Sequence, residues 1–179
     1  MIKTDNQITR INSGVLQPEN TGLINQLVDL SFWKKAIDEK YLDPINKTDS
    51  GFFLNSMNLD KGLEINKFVP KIIKLVNMTV KGRINKVERI YWNWYHNNSK
   101  TIFHQDTHLE NKYSVIYNLH SNDGGTEFKI NDEIYFVKAV ESQILFFKSN
   151  IWHRGVAPTK QKNRYSLNIL CYEGEDVRN

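Results

Sequence analysis

Residues 164–172 read Arg-Tyr-Ser-Leu-Asn-Ile-Leu-Cys-Tyr, and the first six of them alternate strictly. In an extended chain Tyr165, Leu167 and Ile169 fall on one side, and Arg164, Ser166 and Asn168 on the other. A helix would mix the two sets, so the stretch reads as a β-strand with one apolar face and one polar face carrying a cation. Working backward, short β-branched and aromatic runs recur at residues 90–95, 113–119, 127–130, 134–137 and 143–147. Turn-forming residues separate them: Asn122 to Gly125, Asn131-Asp132, and Asn150 with the stretch from Gly155 to Pro158.

The first half has a different rhythm. Pro18 can open a helix carrying Leu23, Ile24, Leu27 and Val28, and Ser31 can cap a second with Phe32, Trp33, Ala36 and Ile37 inward. Ile65, Phe68, Val69, Ile72, Ile73 and Val76 recur at three- and four-residue spacing, with Pro70 expected to kink or split that helix. Helices followed by a run of short strands predict a mainly β protein. The expected architecture is a jelly roll, or double-stranded β-helix, over about residues 86–173, with N-terminal helices from about 15–80 packed on one sheet. No repeat, low-complexity tract or linker interrupts the chain, so residues 1–179 are expected to form a single domain.

Composition excludes several classes of function. A hydrophobic content of 40% across 179 residues is ample for a core. The single cysteine, Cys171, rules out a disulfide within the chain and a thiolate-rich metal site, so a metal would have to be held by histidine and carboxylate. The net charge of +4 is scattered over the whole length without a dense basic block, and nucleic acid is not indicated as a partner. No run of eighteen apolar residues occurs and the segment Met1 to Arg10 is polar, which predicts no membrane association and a cytoplasmic location.

The polar residues with chemical potential lie in the strand half. His104-Gln105-Asp106 sets an imidazole and a carboxylate two residues apart, so in extended backbone both leave one face and can converge on an ion. Alone, that pair is as well explained by a solvated loop. His153, far downstream at the end of the apolar run 144–147, can complete a two-histidine, one-carboxylate set. Such a set fills one face of an octahedral ion and leaves three positions open, as non-haem Fe(II) needs. Arg164 opens its strand one hairpin's length later, where a planar guanidinium can clamp the far carboxylate of an iron-bound dicarboxylate. Ser166 adds a hydroxyl on the same face, and Tyr95, on the strand leading into His104, is a further candidate for that ligand, with a plain core tyrosine as the alternative. His108 continues the alternation but nothing downstream requires it, and His96 and His120 read as loop or strand-end residues. Trp92, Trp94 and Trp152 fit core positions better than a groove, and Asn93 and Asn118 can point inward without an assigned role.

Taken together, His104-x-Asp106, His153 and Arg164-x-Ser166 resemble the Fe(II)/2-oxoglutarate-dependent dioxygenases, most closely the prolyl 4-hydroxylase-like branch. Tyr95, the Gly124-Gly125-Thr126-Glu127-Phe128 hairpin and Leu145-Phe146-Phe147 add to the likeness, which runs from about Glu88 to Tyr172. The resemblance implies iron held by His104, Asp106 and His153, with 2-oxoglutarate and dioxygen as cosubstrates and ascorbate as an optional reductant. It also implies hydroxylation of an unactivated C–H bond, in first place of prolyl residues in a protein or peptide, with no catalytic residue beyond the metal ligands. Collagen-type members usually carry lysine where this chain has Arg164, which leaves a free amino acid or small metabolite open as substrate. Nucleic-acid demethylases tend to have a second arginine where this chain has Leu170, and halogenases lack the carboxylate that Asp106 supplies. A cupin-like metal-binding protein without oxygenase activity is the rival class.

Overall fold

The computed structural model describes residues 7–12, 14, 20, 22–25, 52–55, 64–80, 84–97, 99 and 101–173, with side chains from 67 onward in the helix and none for 52–55. Among these residues, nine strands and one long helix are arranged as β1 (Ile8–Asn12), β2 (Phe52–Asn55), α1 (Glu64–Thr79), β3 (Ile84–His96), β4 (Lys112–Asn118), β5 (Gly125–Ile130), β6 (Glu133–Lys138), β7 (Gln143–Lys148), β8 (Trp152–Val156) and β9 (Asn163–Glu173). A six-stranded sheet runs β1-β7-β4-β9-β3-β2 and a three-stranded sheet runs β6-β5-β8, with antiparallel pairing throughout. This is the expected jelly roll.

Alternation along each strand separates two cores. On the outer face of the large sheet, Trp92, Val115, Tyr117, Ile144, Tyr165, Leu167 and Ile169 are buried beneath Phe68, Val69, Ile72 and Val76 of α1. Each such side chain contributes roughly 1.5–3 kcal/mol when fully buried. On the inner face, Ile8, Ile116, Leu145 and Phe147 meet Phe128, Ile130 and Val137 of the small sheet. The fully buried Trp92 therefore belongs to the core under the helix, as its size favours.

The helix is not split at Pro70, contrary to the sequence-based expectation; it runs unbroken from Glu64 to Thr79 with the proline inside. Pro70 lies on the exposed side, so its ring and its missing N–H face away from the packed stripe that holds the helix on the sheet. The end of α1 is tied to β3 through Asn77, which donates to the Ile84 carbonyl at 2.9 Å and accepts from its N–H at 2.8 Å. Of the other proposed helices, residues 20 and 22–25 are helical with Leu23 buried, whereas Leu27, Val28 and the segment after Ser31 lie outside the described residues.

Asn131 and Asp132 form the predicted turn, both with positive φ (51° and 63°), as a two-residue loop joining twisted strands requires. The stretch beginning at Gly155 does not break the chain there, because β8 continues through Gly155 to Val156. Small size at this position serves packing: a Cβ on Gly155 would come within 2.5 Å of the Tyr95 ring. Gly155→Ala should therefore cost about 1–3 kcal/mol in a denaturation experiment, as overpacking generally does. Adding Tyr95→Leu to it should recover part of that loss; no recovery would place the clash elsewhere.

Candidate active site

The segment carrying His104 and Asp106 is laid against β8 and the turn before it by backbone bonds. His104 and His153 exchange N–H···O bonds, both at 2.9 Å, and the Asp106 N–H donates to the Ser149 carbonyl at 3.0 Å. Side chains from two distant stretches of the sequence thereby converge: ligand atoms of His104, Asp106 and His153 all lie within 4.8 Å of one another. The two imidazole rings stand 4.5 Å apart between centroids. Phe147 closes on His153 edge-on at 4.9 Å, and Phe128 is its partner on the neighbouring strand.

Hydrogen bonding fixes which ring nitrogen is offered. Nδ1 of His104 lies 3.2 Å from the Ile102 carbonyl, and Nδ1 of His153 lies 3.0 Å from that of Ile151. A carbonyl only accepts, so Nδ1 carries the proton in both rings and Nε2 presents its lone pair. Burial pushes the His153 pKa down, an effect the Asp106 charge only partly offsets, and the ring is the neutral form that binds metals. His153 Nε2 is buried without a hydrogen-bond partner, 3.6 Å from Asp106 Oδ2.

Burial works against ionisation of Asp106, but its surroundings hold the carboxyl below the usual range, and with His153 neutral the Arg89 charge and the Ser114 hydrogen bond are the partners that do so. The Ser114 hydroxyl donates to Oδ2 at 2.5 Å, the Asn168 amide reaches the same oxygen at 3.4 Å, and Arg89 Nη2 holds Oδ1. A lone imidazole nitrogen left bare in the interior is costly, of order 1–3 kcal/mol. A divalent ion between the two Nε2 atoms and Asp106 Oδ2 would remove that cost, and a donor set of two nitrogens and one oxygen fits iron and leaves positions free.

On the inner face of the large sheet lies a second buried polar group. The register of β3, β9 and β4 sets Tyr95 opposite Arg164, Asn93 and Asn118 opposite Ser166, and Tyr91 opposite Asn168. The polar face of β9 thus meets the interior of the jelly roll rather than water. Arg164 is only 1% exposed, with Nη2 donating to Asn118 Oδ1 at 3.2 Å and to Thr126 Oγ1 at 3.3 Å. Its Nε and Nη1 are buried with no partner, and among the described residues no carboxylate is bonded to it. The Tyr95 ring lies 4.9 Å from the guanidinium carbon, wedged against Gly155. Burial lowers the Arg164 pKa and raises that of Tyr95, so a charged guanidinium is held here against its desolvation cost.

His96 ends β3 and the half-buried His120 follows β4, both at strand ends as expected. His104, Asp106 and His153 come together; Arg164 and Tyr95 are in contact, with Ser166 buried two positions along the same face. His108 is exposed and outside the cluster, and Trp94 stacks on Tyr165 and donates to Asn163 at 2.7 Å. Trp152 is 47% exposed, on the outer side of the small sheet. Sequence reasoning missed Thr126, Ser114, Arg89 and Asn168 as contributors and left Asn118 without a role. Parity was the available signal: Arg89 lies an even number of residues before Tyr95, and Asn168 an even number after Arg164.

No model of a known protein family matches the sequence, and no curated protein matches it. Solved structures do match in fold. A non-haem α-ketoglutarate-dependent carbocyclase, SnoK, from nogalamycin biosynthesis aligns with a TM-score of 0.67 at 8% identity, over 93% of this chain and 79% of that one. A prolyl 4-hydroxylase of Pseudomonas putida aligns at 0.65 with 12% identity, over 94% of both chains. A prolyl hydroxylase of Trichoplax adhaerens, solved with a hypoxia-inducible-factor peptide fragment, aligns at 0.67 with 12% identity, over 94% of this chain and 84% of the other. The chain shares their fold.

Proposed function

We propose that this protein is an Fe(II)- and 2-oxoglutarate-dependent oxygenase that hydroxylates an unactivated C–H bond, with prolyl residues of a protein or peptide as the first candidate substrate. The observation that carries the reading is a pairing inside one barrel. A buried imidazole nitrogen with no partner stands beside an ionised carboxylate, and a fully buried arginine with two unpartnered nitrogens stands on the facing sheet, in the row of β9 whose Asn168 reaches that carboxylate. One group is complementary to a cation, the other to a carboxylate. A cupin-like binding protein has no general need for the second.

In this reading His104, Asp106 and His153 hold the metal through Nε2, Oδ2 and Nε2. Bound ferrous iron with 2-oxoglutarate supplies the oxidising chemistry: dioxygen is consumed, 2-oxoglutarate is decarboxylated to succinate and CO2, and the substrate C–H becomes C–OH. The chain supplies position and dryness. Arg164 takes the distal carboxylate through Nε and Nη1, and Ser166 lies within the same polar row. Asn118 and Thr126 hold the guanidinium on its other side, and Tyr95 backs it against Gly155. Phe128 and Phe147 keep bulk water from His153. Peptide substrates are favoured by the fold shared with prolyl hydroxylases, one of which was solved with a peptide.

The test is a coupled assay. Aerobic incubation with Fe(II), 2-oxoglutarate and a panel of proline-containing peptides and free amino acids should produce succinate together with addition of one oxygen to a panel member, read by mass spectrometry. Oxygen added only to a free amino acid would keep the oxygenase and replace its substrate. No succinate under any of these conditions would count against the oxygenase itself. Among the described residues, no helix is long and apolar enough to cross a membrane.

A further inference from the structure

We infer that Arg89 is a positioning residue that keeps Asp106 a one-oxygen donor and so preserves an open position on the metal; the inference rests on the iron reading above. The Asp106 side chain is 3% exposed, and its two oxygens have different surroundings. Oδ2 faces His153 Nε2 and takes the Ser114 and Asn168 hydrogen bonds, while Oδ1 is turned to Arg89 Nη2. The arginine is itself fixed. Its guanidinium carbon lies 4.6 Å from the centre of the Tyr91 ring, and its Nε is buried without a partner. Its register partner is the buried Leu170 of β9, just beyond Asn168.

Three protein donors leave three places on a six-coordinate ion, two for a chelating 2-oxo acid and one for dioxygen. A carboxylate that swung to bind through both oxygens would take the last of these. In this chain that swing has to pull Oδ1 off a guanidinium that already has one buried nitrogen unsatisfied, leaving a second without its acceptor. The contact therefore opposes chelation by Asp106. It is also charge-assisted, a guanidinium nitrogen against a carboxylate oxygen. Ser114 and Asn168 complete it by holding Oδ2 from the opposite side.

The experiment uses nitric oxide, a dioxygen analogue that needs the open position, on the anaerobic Fe(II)·2-oxoglutarate complex. The chelate is followed by its visible charge-transfer band and the nitrosyl by its high-spin electron paramagnetic resonance signal. Arg89→Met should keep the chelate band but bind nitric oxide on the order of 10-fold or more weakly, as loss of an outer partner of a metal ligand typically does. Arg89→Lys should recover most of that affinity. Unchanged nitric oxide affinity in Arg89→Met would overturn the inference. So would a folded Arg89→Met that loses the chelate band, because Arg89 would then serve to hold the metal rather than to keep a position free. If Arg89→Met does not fold, the same comparison between Arg89→Gln and Arg89→Lys decides. Absence of the band in the unaltered protein would instead remove the iron reading, and this inference with it.

Discussion

His153→Ala should bind Fe(II) more than about 100-fold more weakly than the parent protein and form no detectable succinate. Removing even an outer partner of a metal ligand typically costs 10–100-fold in affinity, and His153 offers its nitrogen directly. The fold should survive. The ring is buried between Phe128, Phe147 and His104, but the strand around it is held by backbone bonds to β5 and to His104 that an alanine retains. Metal binding measured by calorimetry, beside a thermal unfolding curve, separates the two effects. A folded variant with undiminished iron affinity would remove His153 from the ligand set.

Arg164→Met should weaken 2-oxoglutarate by about 3 kcal/mol, on the order of 100-fold, while Fe(II) affinity stays near that of the parent. The size follows from the surroundings. Truncating one partner of a buried charge pair costs several kcal/mol because the remaining charge is left without compensation, and the carboxylate would otherwise be taken by Nε and Nη1. A second consequence has the opposite sign. Among the described residues, the partners of the buried Arg164 cation are neutral groups, Asn118, Thr126 and the Tyr95 ring. Methionine of similar length should therefore leave the ligand-free protein as stable or more so, while abolishing the upward shift in Tm that 2-oxoglutarate gives the parent. A merely structural arginine would show the reverse: lower stability and an undiminished ligand shift.

How much of this was legible in the sequence depended on how local the signal was. The alternation of residues 164–169 identified β9 and separated its faces, although the polar face alone could not tell barrel interior from solvent. Burial of Arg164 at 1% exposure resolved that, since the second sheet covers it. β1 and β8 were harder. Ile8–Asn12 is only five residues and its burial does not alternate cleanly, Ile8 being buried and Arg10 on the same side exposed, and Trp152–Val156 contains a glycine that reads as a break but is there to admit Tyr95. Pro70 misled for a related reason: propensity is a local quantity, and the stripe of Phe68, Val69, Ile72 and Val76 on the sheet outweighs it.

The site divides the same way. His104 and Asp106 announce themselves as neighbours, and His153 and Arg164 follow from the chemistry that such a pair would need. Thr126, Ser114 and Arg89 carry no local mark. They reach the site through strand register, β5 against β8, β4 against β9, and β3 against β9 across two irregularities between Ile84 and Arg89. A one-residue change in any of those registers would turn the side chain to the opposite face.

The most direct test is anaerobic titration of the metal-free protein with Fe(II) in the presence of excess 2-oxoglutarate, followed by visible absorption. A broad charge-transfer band that saturates at one iron per chain, and that is lost in both His153→Ala and Arg164→Met at the cosubstrate concentration saturating the parent, is the expected result. Tight iron binding with no such band at any 2-oxoglutarate concentration would contradict it: three ligands would then hold an ion to which the buried arginine brings no acid.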